Sequence, residues 1–456
     1  MQSLFTKTSL FGLVVFLFAS CTEPTLSKKD DNTLIDGHPA WSLQGNIYEV
    51  NIRQYTPEGT FKAFEAHLTR LKEMGVQTLW FMPINPISKG GRKGDLGSYY
   101  AVASYTAINP EYGTLEEWNH LVTKAHELGF KVMIDWVPNH SGADHPWLKN
   151  HPDFYVKDSV TGEPTFTADW SDTRELNYDN KAMQDSMIES MKYWIKTSDI
   201  DGYRVDVAWG VPDAFWKRCL PELKKMKPGM FFLAEAEGGN YHTDGFDATY
   251  PWNMLHMINK IAAGERTADA IDSVRLHADS TIPANAIQMY FTSNHDENSW
   301  NKSDYGTMPG AIHAPFAVFT QTMGRSVPLI YSGQEEPVLD SLSFFYKDTI
   351  HFNKFERAPF YKTLLAFRKS NPAMASNALF HKVIAGNEKA IYAYTREGGG
   401  KKAFIILNLS GKAQEIKITD PALYGKALDI FSNQTIEISD KVFSINAWGY
   451  KVYSYY

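Results

Sequence analysis

The sequence predicts an α/β fold built on a (β/α)8 TIM barrel, followed by a separate all-β domain. Three observations carry this. Short β-rich apolar runs alternate with amphipathic helical stretches between about residues 46 and 371; acidic, basic and imidazole side chains gather where those runs end; and beyond Asn371-Pro372 the helical periodicity stops. At 456 residues the chain exceeds the roughly 250–300 residues over which one hydrophobic core grows, so more than one folded unit is expected.

The strand candidates are residues 46–55, 76–84, 130–137, 200–207, 230–234, 246–250, 287–292 and 328–331. Helical spacing follows most of them: Phe61, Phe64, Leu68 and Leu71 after the first, then residues 114–129, 180–197, 212–227, 252–263, 311–323 and 355–369. Thr114 with Glu117 three residues on is a capping-box signal, and Gly75 and Gly129 stand where helix ends favour a left-handed residue. Eight such units favour a closed barrel over an open doubly wound sheet. Residues 141–178, rich in His, Asp, Trp and Pro, interrupt the third unit and are expected to wall a cleft. The barrel is placed at residues 40–371. Residues 372–456 carry short strands at 382–385, 390–395, 402–408, 413–418, 427–431, 435–438 and 442–455, with a hairpin at Gly398-Gly399-Gly400. That glycine run lacks the spacing of a phosphate loop.

The N-terminus has Lys7, an apolar run from Leu10 to Phe18, then Ala19-Ser20-Cys21. The run is too short to span a bilayer and resembles a bacterial lipoprotein signal at residues 1–21, in which Cys21 is lipidated and becomes the mature N-terminus. Residues 22–39 then read as a polar tether, and the body as an exported protein held at a membrane facing the periplasm or the cell surface. Cys219, in an apolar stretch, is left as a buried thiol. A net charge of -7 without a basic block excludes the phosphate-neutralising surface of a nucleic-acid binder.

Active sites of barrels of this kind form at the C-terminal ends of the strands. The third strand ends at Asp135, Asn139 and His140; the fourth carries Arg204 and Asp206; the fifth ends at Glu235; the seventh ends at His295 and Asp296. Each has a bland explanation alone, as an ion-pair partner or a packed histidine. Converging on one face, they point to acid–base or nucleophilic chemistry.

In these segments the chain resembles the α-amylase family, glycoside hydrolase family 13: residues 135–140, 202–206, 233–235 and 291–296 match its motifs in order, and 97–105 its tyrosine-bearing segment. The resemblance implies a barrel with a small domain inserted after strand three, a C-terminal β-sandwich, and retaining cleavage of α-1,4-glucosidic bonds in starch-like glucans or maltooligosaccharides, with no cofactor needed for the chemistry. It assigns Asp206 as nucleophile, Glu235 as acid and base ahead of its neighbour Glu237, and Asp296 as third carboxylate. Tyr100, His140, Arg204 and His295 are assigned to substrate binding. Where many members carry Lys-His after the nucleophile, Trp209 and Gly210 stand here, and Ser104 replaces a common Asp. Asn139 and Asn177 are the candidate ligands of a structural calcium ion, although Asn177 occupies a position where Asp is common. The competing readings are an α-glucosidase, maltogenic enzyme or transglycosylase of the same family, and a non-catalytic glucan-binding lipoprotein.

Overall fold

A computed structural model describes residues 32–302, 306–337 and 340–456. Cys21 and the polar run Lys28–Asp31 lie outside the described residues.

Eight parallel strands form the barrel: β1 Ile47–Val50, β2 Thr78–Phe81, β3 Lys131–Trp136, β4 Gly202–Val205, β5 Phe231–Ala234, β6 Ala248–Thr249, β7 Ile287–Gln288 and β8 Leu329–Tyr331. Each falls inside a segment expected from sequence. They pair in chain order, and β8 pairs with β1, Leu329 opposite Ile47. Between β7 and β8 the ring is closed by Gln288 N to Arg325 O at 2.8 Å, Val327 N to Gln288 O at 3.0 Å and Leu329 N to Tyr290 O at 2.9 Å.

The period of two along each strand sorts the side chains. Ile47, Trp80, Met133, Phe231, Leu233 and Leu329 pack in one cluster that fills the barrel, and their neighbours Tyr48, Leu79, Val132, Phe232 and Ile330 in another that faces the helices. Glu49 and Arg204 share the inward phase, which makes them buried charges in an apolar ring. Helix Leu115–Glu127 starts with the expected capping box: Thr114 Oγ1 accepts from Glu117 N at 3.2 Å, and Glu117 Oε2 accepts from Thr114 N at 2.9 Å. Gly75 ends helix Leu68–Met74 at φ 102°, a conformation side-chain-bearing residues avoid.

The insertion is anchored by an antiparallel pair, His140–Gly142 against Thr173–Glu175. At the start of the described chain, Leu34–Ile35 and His38–Pro39 form a two-stranded hairpin, with His38 Nδ1 3.0 Å from Asp247 Oδ1 in a buried pair. Residues 34–39, expected as the end of the tether, are therefore fixed to the barrel wall by the buried His38–Asp247 hydrogen bond.

The C-terminal domain has strands β9 Leu379–Val383, β10 Ile391–Gly398, β11 Lys401–Asn408, β12 Gln414–Ile416, β13 Gly425–Asp429, β14 Gln434–Ile438, β15 Phe443–Ile445 and β16 Tyr450–Tyr455. Six form one antiparallel sheet in the order β9-β10-β11-β16-β13-β14, and β12 pairs with β15 in a second. One face of the large sheet, including Tyr392, Tyr394 and Ile405, packs in the cluster that contains the barrel interior; the other, including Ile391, Phe404 and Ile406, packs with Ile416 and Ile445 of the small sheet. The single strand expected at 442–455 is two, because Trp448 takes φ 54° in a turn between β15 and β16.

Candidate active site

At the C-terminal end of the barrel strands lies a cleft of about 640 Å³. Tyr100, His140, Asp206, Glu235, His295 and Asp296 all line it, so six of the seven residues assigned to catalysis or substrate binding come together on one surface.

The seventh, Arg204, does not reach that surface. It is fully buried beneath it. Its Nη1 donates to Asp206 Oδ1 at 2.9 Å and to Asp135 Oδ1 at 3.0 Å, and its Nη2 sits 3.0 Å from Glu235 Oε1 as an ion pair without hydrogen-bond alignment. Its Nε donates to Tyr250 Oη at 3.2 Å. One guanidinium thus gathers carboxylates from the ends of three strands.

The carboxylates differ in their surroundings. The side chains of Asp206, Glu235 and Asp296 are 9%, 13% and 35% exposed, so Asp296 is the one most open to the cleft. Burial lifts the Asp206 carboxyl well above its ordinary range, Glu235 nearby adds to this, and Arg204 opposes it. Asp135 is pushed up to about 6 by burial, with Arg204 again opposing. Glu235 is oriented by the backbone: its Oε2 accepts from Val207 N at 2.8 Å. Val207 holds φ 45° and ψ 43°, a left-handed conformation that a β-branched residue enters only at a cost.

A second chain of polar groups runs under Tyr100. Burial alone would depress His295, but Asp296 and Glu49 on either side hold it well above the usual histidine value, as an imidazolium. Its Nδ1 donates to Glu49 Oε1 at 2.5 Å; its Nε2 lies 2.7 Å from Tyr100 Oη and 3.2 Å from Asp296 Oδ2. Tyr100 Oη in turn donates to Asp135 Oδ2 at 3.1 Å. Both ring nitrogens of His295 are engaged by protein, which ties Tyr100 and Asp296 to Glu49 through one ring. Burial opposes ionisation of Asp296, yet the His295 charge keeps its carboxyl below the ordinary range. His140 is lowered to about 4 by burial, hence neutral, and its Nδ1 lies 3.2 Å from Asn139 Nδ2.

Sequence reasoning missed several of these parts. Glu49 carried a signal, a carboxylate at an inward position of an apolar strand. Of the aromatic wall of Trp170, Trp300, Phe344 and Phe345, Trp300 lies in the short helix His295–Asn301 and the rest in loops without periodicity, so only the run Phe344-Phe345-Tyr346 hints at it. Glu237 lines a different hollow, beside Asn253 and His277. At Gly210 a Cβ would come within 2.4 Å of Asn139 Oδ1, so the turn after Asp206 has no room for a side chain there.

Of the two calcium candidates that the resemblance implies, Asn177 uses its amide within its own loop, where Oδ1 accepts from Asp179 N at 3.1 Å and Nδ2 donates to Asp153 O at 3.3 Å, and Asn139 is buried beside His140. Among the described residues, no group of three or more His, Cys, Asp or Glu side chains is arranged to hold a metal ion.

The family description "Alpha amylase, catalytic domain" matches residues 29–170 and 155–359. The chain belongs to the α-amylase family. The α-amylase MalA of Haloarcula japonica is 25% identical over 394 residues, which cover 82% of this chain and 56% of that protein, so the chain spans little more than half the length of that relative. Among solved structures, an α-amylase from Lactobacillus plantarum aligns with a TM-score of 0.80 at 28% identity, over 91% of this chain and 99% of that one. The maltogenic α-amylase AmyB from Thermotoga neapolitana aligns with a TM-score of 0.81 at 26% identity, over 90% and 98%. The protein is an α-amylase-type glycosidase with the barrel and C-terminal β-domain of that family, and the family's chemistry needs no cofactor.

Proposed function

We propose that the protein is a retaining hydrolase of α-1,4-glucosidic bonds in starch-like glucans or maltooligosaccharides, acting through a glycosyl-enzyme intermediate on Asp206. The observation that carries this reading is the sharing of one buried guanidinium by Asp206, Glu235 and Asp135. Asp206 and Glu235 are thereby held side by side at the cleft on one guanidinium. A retaining glycosidase needs two such groups, one carboxylate to attack and one carboxylic acid to protonate the leaving oxygen, about 5–5.5 Å apart.

Asp206, hydrogen-bonded to Arg204, attacks the anomeric carbon. Glu235, oriented by Val207 N, gives its proton to the glycosidic oxygen and then takes one from the incoming water. Asp296, ionised beside His295, stabilises the oxocarbenium-like state and receives sugar hydroxyls. His140 faces the same sugar from the cleft wall, and Tyr100, stacked on His295 at 5.3 Å, provides the face beneath its ring. Interception of the intermediate by a sugar hydroxyl in place of water gives transfer, and the indole of Trp209, 60% exposed just beyond the nucleophile, offers an acceptor a stacking face.

Export and lipidation at Cys21 form the second part of the proposal, supported by the apolar run that ends at Ala19-Ser20-Cys21. Among the described residues no helix is long and apolar enough to cross a membrane. Incorporation of labelled palmitate, lost in Cys21→Ser, is the expected outcome. For the chemistry, maltooligosaccharides and soluble starch are followed by chromatography and by the anomeric NMR signal. Initial products of α configuration are expected, with turnover lost in Glu235→Gln; β products or an active Glu235→Gln variant would contradict the roles.

A further inference from the structure

Glu235, the proton donor, marks the side where the leaving sugar departs. Tyr100 lies under the sugar that is attacked, and the next layer beyond it is Phe344, whose ring stacks on that of Tyr100 at 6.3 Å and 15°. Trp300 packs on Phe344 at 5.3 Å and on Phe345 at 5.9 Å. This is the side toward which the non-reducing part of a bound glucan would extend.

Three chain segments are tied together on that side. The loop after β2 is linked to the insertion by Lys93 Nζ, which donates to Asp169 O at 2.6 Å, and by Lys89 N and Gly90 N, which donate to Asp144 Oδ2 at 2.8 and 3.2 Å. The same loop is linked to the segment after β8 by Leu96 N to Phe345 O at 3.0 Å. Buried Arg53 clamps both, donating to Gly97 O at 3.0 Å and Phe344 O at 3.1 Å. The contact is close enough that a Cβ at Gly94 would lie 2.6 Å from Phe345 Cβ, and Gly94 takes φ 60°. Lys93, Asp169, Phe344 and Phe345 all line the cleft, so the linked segments are its end wall.

We infer that this wall, centred on Lys93 and Phe345, leaves room for only a short non-reducing segment and makes the enzyme exo-acting, releasing short α-glucosyl products from the non-reducing ends of maltooligosaccharides. The inference rests on the hydrolase reading above and adds the direction from which a chain is consumed. An interior segment of a polymer bound past this wall would need the contacts just described to part.

The test uses the full chain in detergent and two p-nitrophenyl maltoheptaosides, one with a free non-reducing end and one whose terminal glucose is capped as an ethylidene acetal. Products are resolved by chromatography. The capped substrate is expected to be cleaved at least about 50-fold more slowly, since a clash excludes it from the wall. Lys93→Ala combined with Phe345→Ala is expected to raise the capped-to-free rate ratio by roughly tenfold, by removing the clash. Cleavage of both substrates within about threefold, a difference too small for steric exclusion, would overturn the inference while leaving the hydrolase reading intact. Cleavage of neither would overturn the hydrolase reading itself. A ratio unmoved in the double variant would show that these residues are not the wall.

Discussion

Two places in this protein bury arginine, and they satisfy it in opposite ways. Under the cleft, Arg204 is surrounded by Asp135, Asp206 and Glu235. At the far end of the barrel, Arg368 and Arg396 are equally buried but face backbone carbonyls. Arg396 reaches from β10 to Thr322 O at 2.7 Å, Met323 O at 2.6 Å and Ala375 O at 2.6 Å; Arg368 donates to Gly45 O at 2.7 Å, to Leu43 O and Gln321 O at 3.2 and 3.3 Å, and to Ser326 O. Burial lowers both, Arg368 to about 9 with help from Arg396 and Arg396 to about 10. Carbonyl dipoles, including those at the end of helix His313–Thr322, hold a cation without introducing a group that titrates. Carboxylates hold it while making the proton count of the cluster adjustable. Through Arg396 the first arrangement joins two domains; the second suits the proton transfer proposed above.

The comparison breaks most sharply at the arginines themselves. Arg204→Met is expected to lower kcat/KM by roughly 10²–10³-fold or more, because the charge that organises the reacting carboxylates is gone, and to destabilise by roughly 3–5 kcal/mol, because buried carboxylates lose their counter-ion. Steady-state kinetics and urea unfolding read the two effects. Arg396→Met is expected to cost roughly 2–4 kcal/mol through its orphaned carbonyls, with kcat/KM of the remaining folded enzyme unchanged. Parallel losses of activity in the two variants would show that both arginines are structural.

A finer test concerns the Glu49–His295 pair. His295 is held as an imidazolium, so the stability that charge contributes is complete below the ordinary histidine value and is lost as pH rises through the raised one. Glu49→Gln removes one of the two carboxylates responsible. The basic limb of the kcat/KM profile is expected to move to lower pH, while kcat at the new optimum falls less than in Arg204→Met. An unmoved basic limb would mean that Asp296 alone holds the charge. The smallest effect is expected at Gly210→Ala, where the added Cβ presses on Asn139 Oδ1 and costs roughly 1–3 kcal/mol of local strain. Thermal unfolding would register it as a lower midpoint with product pattern unchanged.

The barrel was legible because period-two and period-3.6 patterns report which face is buried, and each of the eight strands lies in such a run. The carboxylates at strand ends were legible for the same reason: Asp206 and Glu235 follow apolar strands at the point where the barrel rim begins. What escaped depends on contacts across the barrel. Glu49 and His295 are 246 positions apart, and local sequence does not record that they meet. Arg204 two residues before Asp206 was recognised as its partner, but its depth, and hence its absence from the substrate surface, follows from closure of the ring. Asp135 was visible only as a strand-end acid. Arg368 and Arg396 look like ordinary surface arginines on a helix and a strand, since the carbonyls that hold them belong to other segments. The short strand β15 was merged with β16 because nothing in residues 442–455 announces that Trp448 takes a left-handed turn.

The most direct test of the central claim, that the carboxylates gathered by Arg204 act by a covalent retaining mechanism, is to trap the intermediate. The full chain is treated with 5-fluoro-α-glucosyl fluoride, digested, and the labelled peptide sequenced by mass spectrometry. One glucosyl adduct is expected, on Asp206, abolished in Asp206→Asn and accumulating in wild type. A label on Glu235 or Asp296, or turnover of α-glucans to β-configured products with no adduct, would contradict it.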